Sequence, residues 1–268
     1  MMFKKAFSKE NRVLLAELVR TDFKLRYQGS VLGYTWSLLR PLLMFLVLYI
    51  VFAKFLRLGD AVPNFPIYLL LGIVIWQFFT DMTNQSLSAI VMRGDLIQKI
   101  RIPRWLIIVS TSIGAFINLG LNLIVVLIFV LFSGMDLLVT SIWLPVLLLE
   151  VYVLGLGLSL ILATAFVKYR DVSYIWEVIV QAGFYATPIL YPLSLITNVT
   201  FQKLLLLNPM AQVIQDARYA VVTHETLTVS QVFSSGIVRI LPIALCFMFL
   251  VVGVLYFRRE AKDFAENL

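Results

Sequence analysis

Six stretches of this chain are apolar over the length a helix needs to cross a bilayer, and no other feature limits its fold as strongly. Such a helix takes about 20 mostly apolar residues, because its N–H and C=O groups meet no water in hydrocarbon and must pair within the segment. The runs predict spans at Trp36–Phe55, Ile67–Ala89, Trp105–Phe132, Ile142–Val167, Val172–Leu190 and Ile237–Phe257. The fifth is the most interrupted, by Glu177, Gln181 and Thr187. Composition removes the alternative of a soluble core. The chain is 61% apolar and 14% charged, where a soluble domain is roughly half apolar and about a quarter charged. Lipid has to solvate the excess. The expected fold is an all-α membrane protein with six transmembrane helices, one domain over residues 1–268, and no internal repeat.

An even number of spans returns both termini to one side. Of the 22 Lys and Arg, seventeen fall on that side: up to Arg40, within Arg93–Arg104, at Lys168 and Arg170, and within Arg258–Lys262. Lys54, Arg57, Lys203, Arg218 and Arg239 fall elsewhere. Cytoplasmic loops carry the Lys and Arg excess, so both termini are expected in the cytoplasm and the protein in the plasma (inner) membrane. Residues 1–35 then form a cytoplasmic interfacial segment, 36–257 the bundle and 258–268 a tail. The same bias accounts for the net charge of +7 without a nucleic-acid partner. The first ten residues are mixed and polar, so the first span is expected to serve as the targeting signal. Residues Ser8–Arg26 set Leu14, Leu18 and Leu25 near helical spacing among Glu10, Glu17, Arg20 and Lys24. That pattern predicts an amphipathic helix lying on membrane lipid or against a soluble partner. Tyr191–Gly236 is expected outside, as short helices dipping into the outer leaflet.

Chemistry-bearing motifs are few. No glycine is followed by lysine, so the chain has no phosphate-cradling loop of the usual kind, and any ATP is used on another polypeptide. Cys246 is the sole cysteine, and His224 is a lone surface histidine with no second ligand, so no metal site and no catalytic residue is expected. The loop Arg93–Arg104 mixes Leu96, Ile97, Ile100 and Ile102 with four basic residues. It reads either as a short helix pressed into a groove on a partner or as a basic loop drawn to anionic lipid. Arg170 and Asp171 are expected to cap the helix ends in the next loop.

Polar residues inside spans usually face a bundle interior or an aqueous path. Asp81, Asn84, Gln85 and Ser88 fall at i, i+3, i+4 and i+7 of the second span. Glu177, Gln181 and Tyr185 form a second stripe in the fifth, while Phe45, Tyr49 and Phe52 make an aromatic stripe in the first. Sparse polar groups among aromatic faces suit sugar rings, although such rings also serve as packing or lipid-facing groups. Glu150 has no evident place.

Phe23 to Trp36 with Pro41, Leu96 to Arg104, Tyr169-Arg170-Asp171, Thr187 to Pro192, and Asn208-Pro209 with Arg218 occur here in order. Together they resemble the membrane permeases of ABC-type polysaccharide and polyol-phosphate exporters, which move O-antigen, capsule or teichoic acid, and the resemblance runs nearly end to end. Arg101, Arg40 and Lys168 depart from the family's usual residues. The resemblance implies a non-enzymatic homodimer bound to two copies of an ABC ATPase, which holds the ATP and Mg; this chain carries no cofactor. It implies that Asp95, Leu96, Gln98, Lys99, Arg101, Pro103 and Arg104 couple to that ATPase. It also implies a path for a lipid-linked glycan lined by Phe45, Tyr49, Phe52, Glu177, Gln181, Phe184, Tyr185 and Tyr191. Arg20, Lys24, Arg26 and Tyr27 would meet the substrate's phosphates or lipid headgroups at the cytoplasmic face. An ABC exporter of small drugs or ions shares the architecture and is the alternative. A membrane glycosyltransferase would need clustered Asp, His or Arg at one boundary, which this sequence lacks.

Overall fold

The computed structural model describes residues 9–27, 29–99, 102–135, 138–233, 235–261 and 264. In chain order the α-helices are α1 (Lys9–Tyr27), α2 (Trp36–Tyr49), α3 (Phe65–Ala89), α4 (Gly94–Lys99), α5 (Trp105–Phe132) and α6 (Leu144–Lys168). They continue with α7 (Val172–Ala186), α8 (Val199–Leu206), α9 (Pro209–Val221), α10 (Val229–Val232) and α11 (Ile240–Glu260). Five of them, α2 with its π-helical extension Ile50–Phe55, α3, α5, α6 and α11, are long and apolar enough to cross a membrane.

The sixth expected span is shorter than the apolar run suggests. Helix α7 ends at Ala186 after 15 residues, about 22 Å at the α-helical rise, against a hydrocarbon core of about 30 Å. The stop is chemical. Thr187 precedes Pro188, which disfavours the α region for it, and Thr187 is extended with ψ of 138°. The following residues Thr187–Leu190 are buried rather than helical.

Helix α3 is the axis of the bundle: most of its residues are buried, and α2, α5, α6 and α9 pack around it. Hydroxyls tie the helices where apolar contact alone gives little discrimination in lipid. Ser86 meets Thr111 at 2.9 Å, Ser112 meets Tyr152 at 3.1 Å, and Ser159 donates to the Met82 carbonyl at 3.3 Å. Helices α6 and α11 cross where both have glycine. A Cβ on Gly253 would lie 2.4 Å from the Gly157 carbonyl oxygen.

The basic ends of the helices come together. Ala89, Ile90, Ile107, Ile108, Leu160, Ala163, Val167, Phe257 and Phe264 share one cluster, and Lys168 pairs with Glu260 at 3.5 Å. Helix α1 docks at this end by Leu14, Leu15 and Leu18 against Ile102, Trp105 and Leu106. Asp22 pairs with Arg93 and accepts from the Ser110 hydroxyl at 3.1 Å. Neither Arg170 nor Asp171 caps α7 through its side chain. Asp171 accepts through its backbone carbonyl, and Arg170 stacks 5.1 Å from the Phe166 ring.

At the opposite end, Asn198 and Asn208 cap α8 and α9 through their side chains, with Pro209 in the first turn of α9 where no N–H is needed. Helix α9 goes deeper than a surface dip: Pro209 to Arg218 are all buried, against α6 and α3. Several of its polar groups pair inside, while Gln212 Oε1 and Gln215 Nε2 are buried without a partner among the described residues. Gln212 donates to Asp216 at 2.7 Å, and Arg239 reaches Asp216 at 3.0 Å. Burial pushes the Asp216 carboxyl up, while Arg239 and Gln212 pull it back. Glu150, unplaced by sequence, faces this group.

Arg218 is fully buried and meets no carboxylate among the described residues. It donates to the carbonyls of Tyr68 at 2.9 Å, Pro188 at 2.6 Å and Ile189 at 2.6 Å, and lies 3.6 Å from the Tyr68 ring centroid. Burial draws its pKa down, yet a guanidinium stays protonated in proteins. Gly72 makes the room, since a Cβ there would sit 2.5 Å from Nη2. Arg218→Lys keeps the charge but not the fork. It is expected to lower the thermal midpoint of the detergent-solubilised protein sharply, at about 1–3 kcal/mol for each carbonyl left unpaired. An unchanged midpoint would remove Arg218 from this role.

Candidate functional site

A groove of about 740 Å³ lies between α2 and α7, with α3 as its floor. That size falls within the range of about 300–1,000 Å³ typical of ligand sites. It exists because α2 packs on α3 and α5, whereas α7 packs on α6 and α3. Five residues of α2 line one wall: Trp36, Ser37, Arg40, Pro41 and Met44. Pro41 has no N–H for the Ser37 carbonyl four residues back, and the Asn122 amide of α5 donates to that oxygen at 3.3 Å. The helix thus keeps its proline without an orphaned acceptor.

The floor carries Ile73, Trp76, Gln77, Thr80, Asp81, Asn84 and Gln85. Gln77 donates to Asp81 at 2.7 Å. Ser88, a turn beyond Asn84, lies outside the groove and approaches the Met92 sulfur at 3.4 Å. From α5 comes Asn118, 4% exposed, whose side-chain Oδ1 is buried with no hydrogen-bond partner among the described residues. Val180, Gln181, Phe184 and Tyr185 of α7 form the other wall. Its rings pack edge-on: Trp76 to Phe184 at 6.1 Å and Phe184 to Tyr185 at 5.4 Å. Among the described residues, the groove therefore combines aromatic faces, amides, one carboxylate and one guanidinium.

Of the path residues expected from sequence, the fold brings Gln181, Phe184 and Tyr185 into the groove. Tyr191 stands beside it, with its hydroxyl 3.4 Å from the Tyr185 carbonyl. Glu177 is exposed on α7 outside the groove lining. Phe45, Tyr49 and Phe52 pack elsewhere. Phe45 lies about 140° around α2 from Arg40, stacks on Tyr49 at 5.7 Å and meets Phe129 edge-on at 5.5 Å. Phe52 packs against the same core. Sequence reading did not single out Trp36, Arg40, Gln77 or Asn118 for the groove. The available signal was the amide pair Asn118 and Asn122, one turn apart in an otherwise apolar span.

The loop between α3 and α5 does form a short helix, α4, with Asp95 exposed and Ile97 half-buried. Pro103 and Arg104 are half-buried, and Arg104 lies 5.8 Å from the Phe264 ring. The side chains of Leu96, Gln98 and Lys99, and the whole of Arg101, lie outside the described residues. On α1, Arg20 and Lys24 are exposed, while the side chains of Arg26 and Tyr27 are also outside the description. No group of three or more His, Cys, Asp or Glu able to hold a metal occurs among the described residues.

Comparison with known proteins decides what this architecture is. Residues 14–222, a stretch containing α3, α7, α9 and the whole groove, match the family described as ABC-2 type transporter. The chain belongs to this family of transporter permeases. It is 35% identical over 200 residues to an O-antigen export system permease protein of Myxococcus xanthus, covering 74% of this chain and 76% of that one. A Klebsiella pneumoniae protein of the same name is 27% identical over 260 residues, 95% of each chain. A polysialic acid transport protein of Escherichia coli is 24% identical over 212 residues, 78% of this chain and 81% of that one.

For this permease, the side-chain Oδ1 of Asn118, without a donor among the described residues, separates a binding role from a folding role. A buried acceptor without a donor contributes nothing to stability, and an apolar residue of similar shape removes its desolvation cost. Asn118→Leu is expected to leave the thermal midpoint unchanged or higher while transport falls. A lower midpoint with full transport would mean that the amide serves packing.

Proposed function

We propose that this chain is the permease subunit of an ATP-driven exporter that moves a polysaccharide, carried on a lipid, outward across the plasma membrane. The observation that carries the reading is the groove, whose ring faces and amides suit a sugar, on a chain similar to permeases named for O-antigen and polysialic acid. Ring C–H faces pack on Trp36, Trp76, Phe184 and Tyr185, and hydroxyls find Gln77, Asp81, Asn84, Gln85 and Asn118. Few ionic contacts keep the grip weak, as movement of a long polymer requires.

The basic end is the cytoplasmic one in this reading, following the Lys and Arg excess. Two copies of an ABC ATPase engage it through α4 and its flanks, from Asp95 to Arg104. The docking of α1 on α5, with its Asp22–Arg93 pair, gives ATPase motion a route to the α1 surface. An exposed carboxylate on α7 supports a homodimer. Glu177 is an exposed carboxylate on a helix among lipid-facing neighbours such as Val178 and Ile179. An intramembrane carboxylate facing hydrocarbon is costly, and a second copy supplies a protected, hydrated seam along α2 and α7.

The test is export in a strain lacking the native gene. Lys99→Glu combined with Arg101→Glu should abolish surface glycan and co-purification of the ATPase while membrane insertion stays normal. Retained ATPase binding would sink the coupling assignment. Trp76→Ala and Tyr185→Ala should each lower glycan export. Normal export from both, with a lost efflux of small drugs or ions, would favour the exporter of small solutes instead.

A further inference from the structure

We propose that a second cavity, at the end of the bundle opposite the basic one, is a subsite for a single uncharged sugar unit. This deepens the export reading and rests on it, since that end is then the outer one, where polymer leaves. The cavity encloses about 220 Å³ between the turn before α3, the segment after α7 and the loop after α9. Tyr68 forms part of its wall, five residues along α3 from Ile73 of the groove, a rise of about 7.5 Å. Pro192 and Leu193 form another part and directly follow Tyr191, which stands beside the groove. The cavity thus lies just beyond the groove, on continuations of the same two elements.

Its walls are held in place. Arg218 donates to the carbonyls of Tyr68, Pro188 and Ile189, so one side chain fixes the α3 wall and the segment after α7. The third wall is turned by its own bonds, from the Thr223 N–H to the Arg218 carbonyl at 3.1 Å and from the Glu225 N–H to the Thr223 hydroxyl at 3.2 Å. A site already ordered keeps more of its contact energy on binding.

The lining chemistry selects the ligand. Glu225 is exposed and takes part in no ion pair among the described residues, and no Lys, Arg or His is among the described lining residues. A phosphate or a carboxylated sugar would meet that negative charge without a compensating cation, whereas a sugar hydroxyl donates to it. The Thr226 hydroxyl has no partner among the described residues, so turning it toward a ligand breaks no hydrogen bond and satisfies a buried group. Pro63 and Leu227 give apolar surface for the C–H face of a ring. The volume is below the range of about 300–1,000 Å³ that holds a drug-sized ligand, so the cavity admits one ring and not a stretch of polymer.

Cys246 is the sole cysteine and is buried, so Ser194→Cys places one exposed thiol at the cavity. The experiment measures how fast a charged maleimide labels Ser194→Cys in the full-length chain in phosphatidylcholine nanodiscs. Labelling is followed with and without the methyl glycosides of glucose, galactose, mannose and N-acetylglucosamine. At least one should slow it, with half-protection on the order of 1 mM, the strength of a few hydrogen bonds. The anionic methyl glycoside of N-acetylneuraminic acid should not. Adding Thr226→Val or Glu225→Gln should each raise the half-protecting concentration about tenfold. Glu225 is exposed, so its variant carries the test should Thr226→Val fail to fold. No protection by any neutral glycoside would mean a cavity filled by solvent only and overturns the proposal. Unchanged protection in either folded variant, or equal protection by the anionic glycoside, overturns it too. Glycan export in cells is scored separately: export without protection fails this inference alone, and no export fails the broader reading.

Discussion

A single guanidinium, buried with no counter-ion among the described residues, ties together the opposite end of the bundle. Arg218 lies on α9, yet its three hydrogen bonds go to α3, through Tyr68, and to the segment just after α7, through Pro188 and Ile189. Desolvating such a charge costs several kcal/mol, about as much as a good geometry returns. Here the return comes from three carbonyl dipoles and the face of a tyrosine ring. The arrangement also accounts for a local breach of helix rules. Helix α7 stops short of a full crossing and leaves carbonyls that hydrocarbon could not satisfy. Arg218 satisfies two of them, and Gly72 clears the space in which it does so.

The groove follows from that anchoring. With its far end tied to α3 and α9, α7 stands off from α2, and the space between them exposes one face of α3. Two prolines shape its walls by opposite means. Pro188 ends a helix, while Pro41 remains inside one because Asn122 takes over the carbonyl that Pro41 cannot serve. At the basic end, α1 is fastened to the start of α5 and to Arg93.

Much of this was legible in the chain. The apolar runs marked the five long helices within a few residues, and their charged flanks marked which ends lie together. The i, i+3, i+4 pattern of Asp81, Asn84 and Gln85 located the groove floor, because a helix must put those residues on one face. The aromatic stripe was less informative. Phe45, Tyr49 and Phe52 share a face too, but periodicity does not say whether that face meets a cavity or another helix, and Phe129 lies against it. Arg40, Asn118 and Glu150 were unreadable for a related reason: each gains its meaning from residues on other helices.

By itself the sequence determined the solvent, the places of the five long apolar helices and the lack of a Gly-Lys phosphate-binding loop in its residues. These are properties of composition and of local spacing along one strand of backbone. It also held the stop at Thr187-Pro188, which acts through the next residue in the chain. Tertiary structure alone decided that Arg218 is an internal clamp, that α9 is a core helix, and that Arg40 faces Asp81 and Asn118 across a common space. Those outcomes depend on which faces of separate helices meet, and a residue's own helix carries no information about the side chain that will stand opposite.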